Sequence, residues 1–239
     1  MVEGLVLERD EITLVATAER GEENLYSSQM IDALSEAVES AARDGLRFVR
    51  LRSRSPVFCV GRERTGQTPL ELRAEAARIV RLNETLRTTP LTVVAEVNGD
   101  AAGFGAGLVA AADIAISGSA ARFWFPEILG GLAPSIVISW LSKTVPYKVA
   151  YDLVATGDPV DAHTAQRLGL VTEVVENGGV ETAVDVRIKR LGDMSPGAIK
   201  EIKEFFVRIR GLDSGDSATA SVEALALSAV RNRADTERS

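Results

Sequence analysis

A glycine-rich segment near the middle of the chain could present backbone amides to a ligand. Residues 103–107 read Gly-Phe-Gly-Ala-Gly and follow an apolar, β-branched run at 92–97. Glycine permits positive φ and close approach of the backbone to a ligand, and the first amides of a helix lack intrahelical partners at the positive end of its dipole. Such amides can stabilise an oxyanion. The segment therefore predicts a strand, a turn and a helix that begins with unpaired amides.

Two other interpretations of these glycines stay open. A glycine cluster between a strand and a helix can also serve tight packing, and its spacing partly resembles a dinucleotide-binding turn. The dinucleotide interpretation is disfavoured, because the third glycine is not at the proper offset. In addition, no acidic residue closes a second strand about twenty residues later in the required context.

Glu127 is the candidate acid/base residue. It follows Pro126, and its nearest neighbours in the sequence are mostly apolar: Phe123, Trp124, Phe125, Ile128 and Leu129. An apolar environment raises the pKa of a carboxyl group by desolvation and makes the ionised form a stronger base. The alternative is a structural carboxylate that caps a loop or pairs with Arg122.

The chain holds one histidine, His163, and one cysteine, Cys59. With one of each, the sequence offers no zinc site and no Cys–His pair. His163 is expected at the surface near the start of a helix, and Cys59 is expected to pack as a small apolar residue. We therefore expect no bound metal.

Length, charge and hydropathy limit the class of partner. The chain has 239 residues, a formal net charge of -7 and a pI near 5.0, which predicts one sizeable core. Nucleic acid is disfavoured as the main partner, because phosphate binding needs a dense Lys/Arg surface. No signal-like segment is evident at the start, and no apolar run reaches the roughly 18 residues of a membrane span. We expect a cytoplasmic protein without a membrane segment.

Hydrophobic periodicity alternates between strand and helix along most of the chain. Predicted strands lie at 4–8, 12–17, 48–52, 92–97, 114–117 and 122–124, and predicted helices lie at 28–43, 72–86 and 105–112. Beyond Pro134 the pattern is helical throughout, with helices at 136–143, 147–156, 162–168, 180–191, 196–210 and 218–233. This order predicts an α/β core at 1–190 and a helical C-terminal region at 191–239.

Five motifs, taken together and in their order, resemble the crotonase (enoyl-CoA hydratase/isomerase) superfamily. They are residues 98–107, 112–115, 125–127 and 131–134, and the Thr-Gly-Asp of 156–158 together with 165–171. An ordered set of motifs is far more specific than one glycine cluster. The resemblance covers the chain to about residue 210 and implies a spiral of ββα units. It also implies a helical C-terminal region that mediates trimerisation, often as a dimer of trimers.

The same resemblance implies an acyl-CoA substrate whose thioester carbonyl is polarised by two backbone amides. In this family the two amides stabilise the enolate that forms when a proton leaves the α or γ carbon. The resemblance assigns the first amide to Val60, within residues 58–62 (Phe-Cys-Val-Gly-Arg), and the second to Phe104. Cys59 and Gly103 flank these amides as binding residues. No separate cofactor is implied, because CoA is part of the substrate.

Hydratases of this family generally present two glutamates that handle the added water, and the chain departs from that pattern. The resemblance aligns one glutamate position with Gly107 and the other with Glu127. Members that keep only the second glutamate include Δ3-Δ2-enoyl-CoA isomerases, in which one base moves a proton from C2 to C4. Residues 131–134, with Trp140 nearby, also resemble the isomerase form of this loop. The resemblance therefore favours an isomerase with Glu127 as the proton shuttle.

Binding of CoA calls for local positive charge on an acidic protein. Arg62 and Lys203 lie in the two regions that the family uses for the nucleotide end of CoA. The alternative is that each is a solvated surface residue, as isolated arginines and lysines usually are.

Three functional interpretations follow from the sequence. The first is the isomerase, and the second is another acyl-CoA reaction on the same scaffold, such as hydration, decarboxylation, hydrolysis or a biosynthetic step. The third is a non-catalytic, CoA-binding homologue. Gly107 disfavours two-glutamate hydration, whereas Glu127 and the glycine turn disfavour a scaffold without activity.

Overall fold

The computed structural model describes residues 2–236, and the surroundings of side chains as far as residue 231. Its strands are β1 (Leu5–Asp10), β2 (Thr13–Ala18), β3 (Phe48–Ser53), β4 (Thr92–Val97), β5 (Ala101–Ala102), β6 (Ile114–Gly118), β7 (Arg122–Trp124), β8 (Val160–Asp161) and β9 (Glu173–Val175). Its helices are α1 (Ser28–Arg43), α2 (Pro69–Thr88), α3 (Phe104–Ala111), α4 (Ser135–Leu141), α5 (Tyr147–Thr156), α6 (Ala162–Arg167), α7 (Val180–Gly192), α8 (Pro196–Ile209) and α9 (Ser214–Thr236). A 3-10 turn spans Pro126–Gly130.

A six-stranded sheet, in the order β1-β2-β3-β4-β6-β9, forms the centre of the fold. β1 and β2 pair antiparallel, with Leu5 opposite Ala18. The remaining neighbours pair parallel, with Val49 opposite Val93 between β3 and β4. All six residues of β4 are buried, as expected for a parallel strand that is covered on both faces. This strand leads directly towards the glycine turn.

A second, three-stranded sheet in the order β5-β7-β8 positions the candidate site. β5 pairs parallel with β7, and an isolated parallel bridge joins Cys59 to Ala101 of β5. Three segments therefore lie close together at this sheet: residues 58–62, the glycine turn that follows β5, and the 3-10 turn that follows β7.

Local sequence signals account for where the helices begin. The Ser27 hydroxyl caps α1 by accepting from the amide of Met30. Thr68 and Glu71 form a reciprocal capping box at α2, which has Pro69 in its first turn. Such caps satisfy amides that have no partner inside the helix. The predicted helices at 28–43 and 147–156 match α1 and α5 at both ends.

The prediction of purely helical structure beyond Pro134 is wrong at two places, β8 and β9. β8 has two residues and β9 has three. Segments of that length cannot display a period of two, so their pairing with β7 and β6 defines them instead of a local pattern.

The C-terminal region begins close to the predicted boundary. The division between residues 190 and 191 falls inside α7, which ends at Gly192. Positions 237–239 of the predicted C-terminal region lie outside the described residues. Within residues 2–236, no helix has both the length and the apolar character needed to cross a bilayer.

Candidate active site

The glycine turn places the first amide of α3 at the end of β5. Gly103 has a φ of 51°, in the left-handed region that favours glycine. Its own N–H donates to Trp124 O at 3.0 Å. Phe104 then begins α3, and its N–H has no acceptor among the described residues. A Cβ on Gly105 would overlap the Cys59 carbonyl, so α3 can pack this closely against residues 58–62 only with glycine there.

Residues 58–62 pass between Tyr26 on one side and β5 on the other. The Val60 N–H donates to Glu23 O at 3.1 Å. The predicted oxyanion role of the Val60 amide is therefore wrong, because this amide already has a partner inside the protein.

Backbone pairing in this segment makes the Arg62 amide available instead. Tyr26 N–H donates to Gly61 O at 3.2 Å, and Glu63 N–H donates to Tyr26 O at 2.9 Å, so the bridge is centred on Arg62. In a parallel bridge of this kind, the central residue turns its own N–H away from the partner. The Arg62 N–H therefore points towards the side of β5 and α3, and it has no acceptor in the described part of the chain.

Glu127 approaches the glycine turn from the 3-10 turn. Its Oε1 lies 3.0 Å from the position that a Cβ would occupy on Gly103. Its Oε2 is buried and has no hydrogen-bond partner among residues 2–236. Desolvation raises the pKa of Glu127, and this effect exceeds the lowering by its own backbone amide and by the charges of Arg64 and Arg62.

The alternative structural role of Glu127, an ion pair with Arg122, is not observed. Arg122 Nη2 donates to Asp100 Oδ2 at 2.6 Å, and the Arg122 N–H donates to Asp100 Oδ1 at 2.9 Å. Glu127 is therefore available for chemistry.

A cavity of about 540 Å³ lies in front of these groups. Residues 60–62, the glycine turn, the 3-10 turn, α2 and α4 contribute to its wall. Among the described residues that line it, Glu127 is the only acidic one. Gly107 also lines the cavity, and a Cβ there would lie 3.6 Å from Trp140 Cζ2, an ordinary contact distance. An ionisable carboxylate, two free amides and a largely apolar wall thus meet in one cavity.

The Arg62 side chain has internal partners although its residue lines the cavity. Its Nη1 donates to Glu75 Oε2 at 2.8 Å and to Glu63 O at 2.9 Å. Glu75 also accepts from Thr65 N–H and Gly66 N–H. The Arg62 guanidinium is therefore already engaged in fixing the loop that carries its own amide.

Lys203 lies away from the cavity of Glu127. Its Nζ donates to Leu86 O at 2.9 Å, to Leu91 O at 2.7 Å and to Asp113 Oδ2 at 2.6 Å. Desolvation lowers the pKa of Lys203, and Asp113 opposes this shift. The structure thus places Lys203 as a tie between α8 and the core.

Of the two flanking residues, Gly103 lines the cavity and Cys59 does not. The Cys59 Sγ is buried and donates to Gly61 O at 3.1 Å. Burial raises the pKa of this thiol to about 12, which keeps it protonated and unreactive at neutral pH. Cys59 contributes its backbone contacts to the site.

The chain matches a known protein family over almost its whole length. The family model described as enoyl-CoA hydratase/isomerase matches residues 8–238. The chain belongs to this family.

Individual relatives cover most of this enoyl-CoA hydratase/isomerase chain. It is 28% identical over 206 residues to "Enoyl-CoA hydratase domain-containing protein 3, mitochondrial" of Rattus norvegicus, covering 84% of this chain and 69% of that protein. The crystal structure of an enoyl-CoA hydratase from Mycobacterium smegmatis superposes with a TM-score of 0.90 at 27% identity, covering 95% and 91%. That of an enoyl-CoA hydratase/isomerase from Marinobacter aquaeolei gives 0.86 at 25%, covering 96% and 92%. The predicted crotonase-like α/β fold is confirmed.

Sequence reasoning missed three polar groups of this family member's cavity. They are the Arg62 amide, the Asn83 side chain and the Trp140 indole N–H, all at residues that line the cavity. The direction of the Arg62 amide depends on pairing with Tyr26, which is distant in the sequence. Asn83 carried a usable signal, because it is a polar residue close to the apolar positions Ile79, Leu82 and Leu86 of α2.

Proposed function

We propose that this member of the enoyl-CoA hydratase/isomerase family is a Δ3-Δ2-enoyl-CoA isomerase in which Glu127 is the single proton shuttle. The observation that carries the proposal is that the cavity contains one desolvated carboxylate, that of Glu127, while Gly107 on the facing helix α3 has no side chain. Hydration benefits from two groups that handle water, whereas a double-bond shift needs one base that takes a proton and returns it.

In the proposed reaction, ionised Glu127 removes a proton from C2 of a 3-enoyl-CoA. The electron pair of the broken C–H bond forms a double bond between C1 and C2, and the carbonyl π pair moves onto the thioester oxygen, which accepts hydrogen bonds from the N–H groups of Arg62 and Phe104. Protonated Glu127 then delivers the proton to C4, which takes the electron pair of the C3–C4 double bond; the carbonyl re-forms and the C1–C2 pair becomes the new C2–C3 double bond. Removal of one such donor typically costs on the order of 10²–10³-fold in rate. Substrate and product have equal mass.

Hydration is the second candidate. The names of the rat relative and of the Mycobacterium smegmatis structure both contain enoyl-CoA hydratase. In this chain a hydratase would need a second acid/base group in place of the side chain that Gly107 lacks.

We also propose that the protein assembles as a trimer or a hexamer. Large apolar side chains on the two last helices support this: Ile202 and Phe206 of α8 are 56% and 62% exposed, and Val222 and Leu225 of α9 are 69% and 73% exposed. Burial of such side chains against a second copy is favourable. A cytoplasmic location stays a prediction.

Purified protein incubated with 3-enoyl-, 2-enoyl- and 3-hydroxyacyl-CoA thioesters tests the proposed activity. Product mass and conjugated-enoyl absorbance are followed together. Conjugation that appears without a mass change is the expected result. A gain of one water by the 2-enoyl thioester would favour hydration, and no turnover of any of the three would contradict both activities.

A further inference from the structure

A second cavity lies further along two of the helices that line the cavity of Glu127. Its volume is about 840 Å³, which is within the range of small-molecule sites. α2 lines the first cavity with Asn83 and the second with Arg87, one turn later. α3 does the same with Gly107 and Ala111. Among the described residues, none lines both cavities, so the second one is a separate space.

Arg87 is the buried cation of this second cavity. Its residue is 6% exposed, and its guanidinium has no hydrogen bond and no ion pair in the described part of the chain. Its nitrogens are nevertheless not sealed, since the described polar atoms that are both unpartnered and cut off from solvent belong to other residues. The guanidinium is therefore open to the cavity that it lines. A charge that is buried without a partner is unfavourable.

Two further cations, Lys203 and Arg210, line the same cavity. Desolvation is the main cause that lowers the pKa of Arg87, and the nearby charge of Arg210 lowers it further. Asp113 is the one carboxylate among the described lining residues, and it already accepts from Lys203 Nζ at 2.6 Å and from the Val93 N–H at 2.8 Å. This cation cluster of Arg87, Lys203 and Arg210 thus lacks negative charge, which an anion in the cavity would supply.

The rest of the wall is largely apolar. Four side chains of α8 contribute to it: Ile199, Ile202, Phe206 and Ile209. Ala110 and Ala111, at the end of α3, are buried beneath them. A small hydrophilic anion would leave this apolar surface in contact with water, whereas an apolar body attached to the anion would cover it. A ligand that suits both parts of the wall has one anionic group and an apolar chain.

We propose that this cavity binds a carboxylate with an apolar chain, such as a medium-chain fatty acid, with the carboxylate against Arg87 and Arg210 and the chain against α8. Guanidinium groups suit this head group, because they can donate two parallel hydrogen bonds to the two carboxylate oxygens. The site does not depend on the proposed isomerase activity, since the residues that line it are not those of the cavity of Glu127.

Calorimetric titration of the intact protein with decanoate, below its micellar concentration, tests this inference. Decanoate should bind at one site per chain. 1-Decanol has the chain without the charge, and acetate has the charge without the chain. Each should bind at least ten-fold more weakly than decanoate, and so should inorganic phosphate.

Three matched variants assign the site. Arg87→Met keeps an extended apolar side chain but removes the charge, and it should weaken decanoate binding ten-fold or more. Arg210→Met, at an exposed position, should weaken it at least three-fold, and it decides the matter if Arg87→Met does not fold. Arg64→Met is the control, because Arg64 lines the cavity of Glu127, and this variant should bind decanoate as the parent does.

The opposite results would overturn the inference. Equal affinity for 1-decanol or for phosphate would show that the charge or the apolar wall is not used. An equal or larger loss in Arg64→Met than in Arg87→Met would place decanoate in the cavity of Glu127. Absence of decanoate binding, with a lower mass of Arg87→Met in light scattering, would assign the cation cluster to a second copy of the chain. The double-bond shift is measured separately and is untouched by any of these results.

Discussion

Glu127, the proposed proton shuttle, lies in an unfavourable environment for its charge. Its Oε2 is buried without a partner, and desolvation is the main cause of its raised pKa. A carboxylate that is held this way costs folding free energy, but it is a stronger base than one in water. Stability and activity therefore place opposite demands on this one side chain.

The pH dependence of Glu127 follows from this shift. Its pKa in the folded protein lies above the ordinary 4.5, so kcat/KM should rise with pH and level off only above that raised pKa. Because folding favours the protonated form, the stabilising contribution is present below pH 4.5 and is lost as pH rises through the folded pKa. Glu127→Gln should therefore melt at the same or a higher temperature at pH 7. A clear drop in Tm would contradict the desolvated state.

Two glycines of the turn should respond in opposite ways to the same substitution. Gly107→Ala adds a Cβ at an ordinary contact distance in a helix, and should stabilise the protein by about 0.4–1 kcal/mol. Gly105→Ala drives a Cβ into the Cys59 carbonyl and should destabilise by more than about 3 kcal/mol, on the scale of severe overpacking. Urea unfolding measures both. Similar stability of the two variants would show that α3 does not pack against residues 58–62 as described.

Sequence reasoning named two residues, Glu127 and Phe104, that the structure brings together at one cavity. Glu127 follows Pro126 within an apolar stretch, and Phe104 follows the glycine that starts α3. The first oxyanion amide was predicted at Val60, but the amide without an acceptor among the described residues is that of Arg62, two residues later. The reason is physical: pairing with Glu23 and Tyr26, which are distant in the sequence, decides which amides of this segment are taken.

The loop between β3 and α2 is the element that sets the position of the Arg62 amide. One carboxylate, Glu75 of α2, accepts hydrogen bonds from Arg62, from the Thr65 N–H and hydroxyl, and from the Gly66 N–H. The Arg62 hydrogen bond is the largest of the effects that hold the pKa of Glu75 down to about 2. The loop and the helix are thereby fixed to each other.

Glu75→Gln should weaken this junction. The loss of a buried ion pair and of acceptor capacity should cost about 2–4 kcal/mol at pH 7. Since the folded pKa is depressed, Glu75 stabilises the protein above its unfolded pKa of about 4.5, and that contribution is lost as pH falls towards 2. The difference in free energy of unfolding between Glu75→Gln and the parent, measured in urea, should therefore shrink as pH falls. Glu84→Gln, on an exposed part of the same helix, is the control, and an equal loss in it would contradict the assignment.

Long elements were predictable, and of the four described strands with only two or three residues, β7 alone was predicted. α1 and β4 occur where periodicity placed them, because many residues contribute to one repeating pattern. β5, β8 and β9 have only two or three residues each. Their existence depends on partners elsewhere in the chain, and β5 matters most, since it joins residues 58–62 to the glycine turn.

At the scale of the whole molecule, Lys203 joins the C-terminal helix α8 to the α/β core. Its ammonium holds two backbone carbonyls and Asp113, and Asp113 in turn accepts from Val93 N–H. This ion pair, in which only Lys203 is buried, fixes α8 to the core and leaves Phe206 of the same helix exposed. The fold thus presents a firmly held helix with an apolar face.

Self-association should depend on that face. We expect the protein to elute as a trimer or a hexamer in size-exclusion chromatography with light scattering. Phe206→Asp should shift it towards the monomer by placing a charge where apolar contact is needed. Glu36→Gln, at an exposed position of α1, is the surface control and should not change the mass. A monomeric parent protein would contradict the proposed assembly.

The direct test of the proposed chemistry is the double-bond shift of a 3-enoyl-CoA by the parent protein and by Glu127→Gln, with acyl-CoA affinity measured in parallel. Loss of the only carboxylate among the described residues that line the cavity should lower the rate by on the order of 10²–10⁴-fold, while Kd for a saturated acyl-CoA stays within about three-fold. Turnover of Glu127→Gln within a few-fold of the parent, at equal product mass, would show that another group moves the proton and would contradict the single-glutamate mechanism.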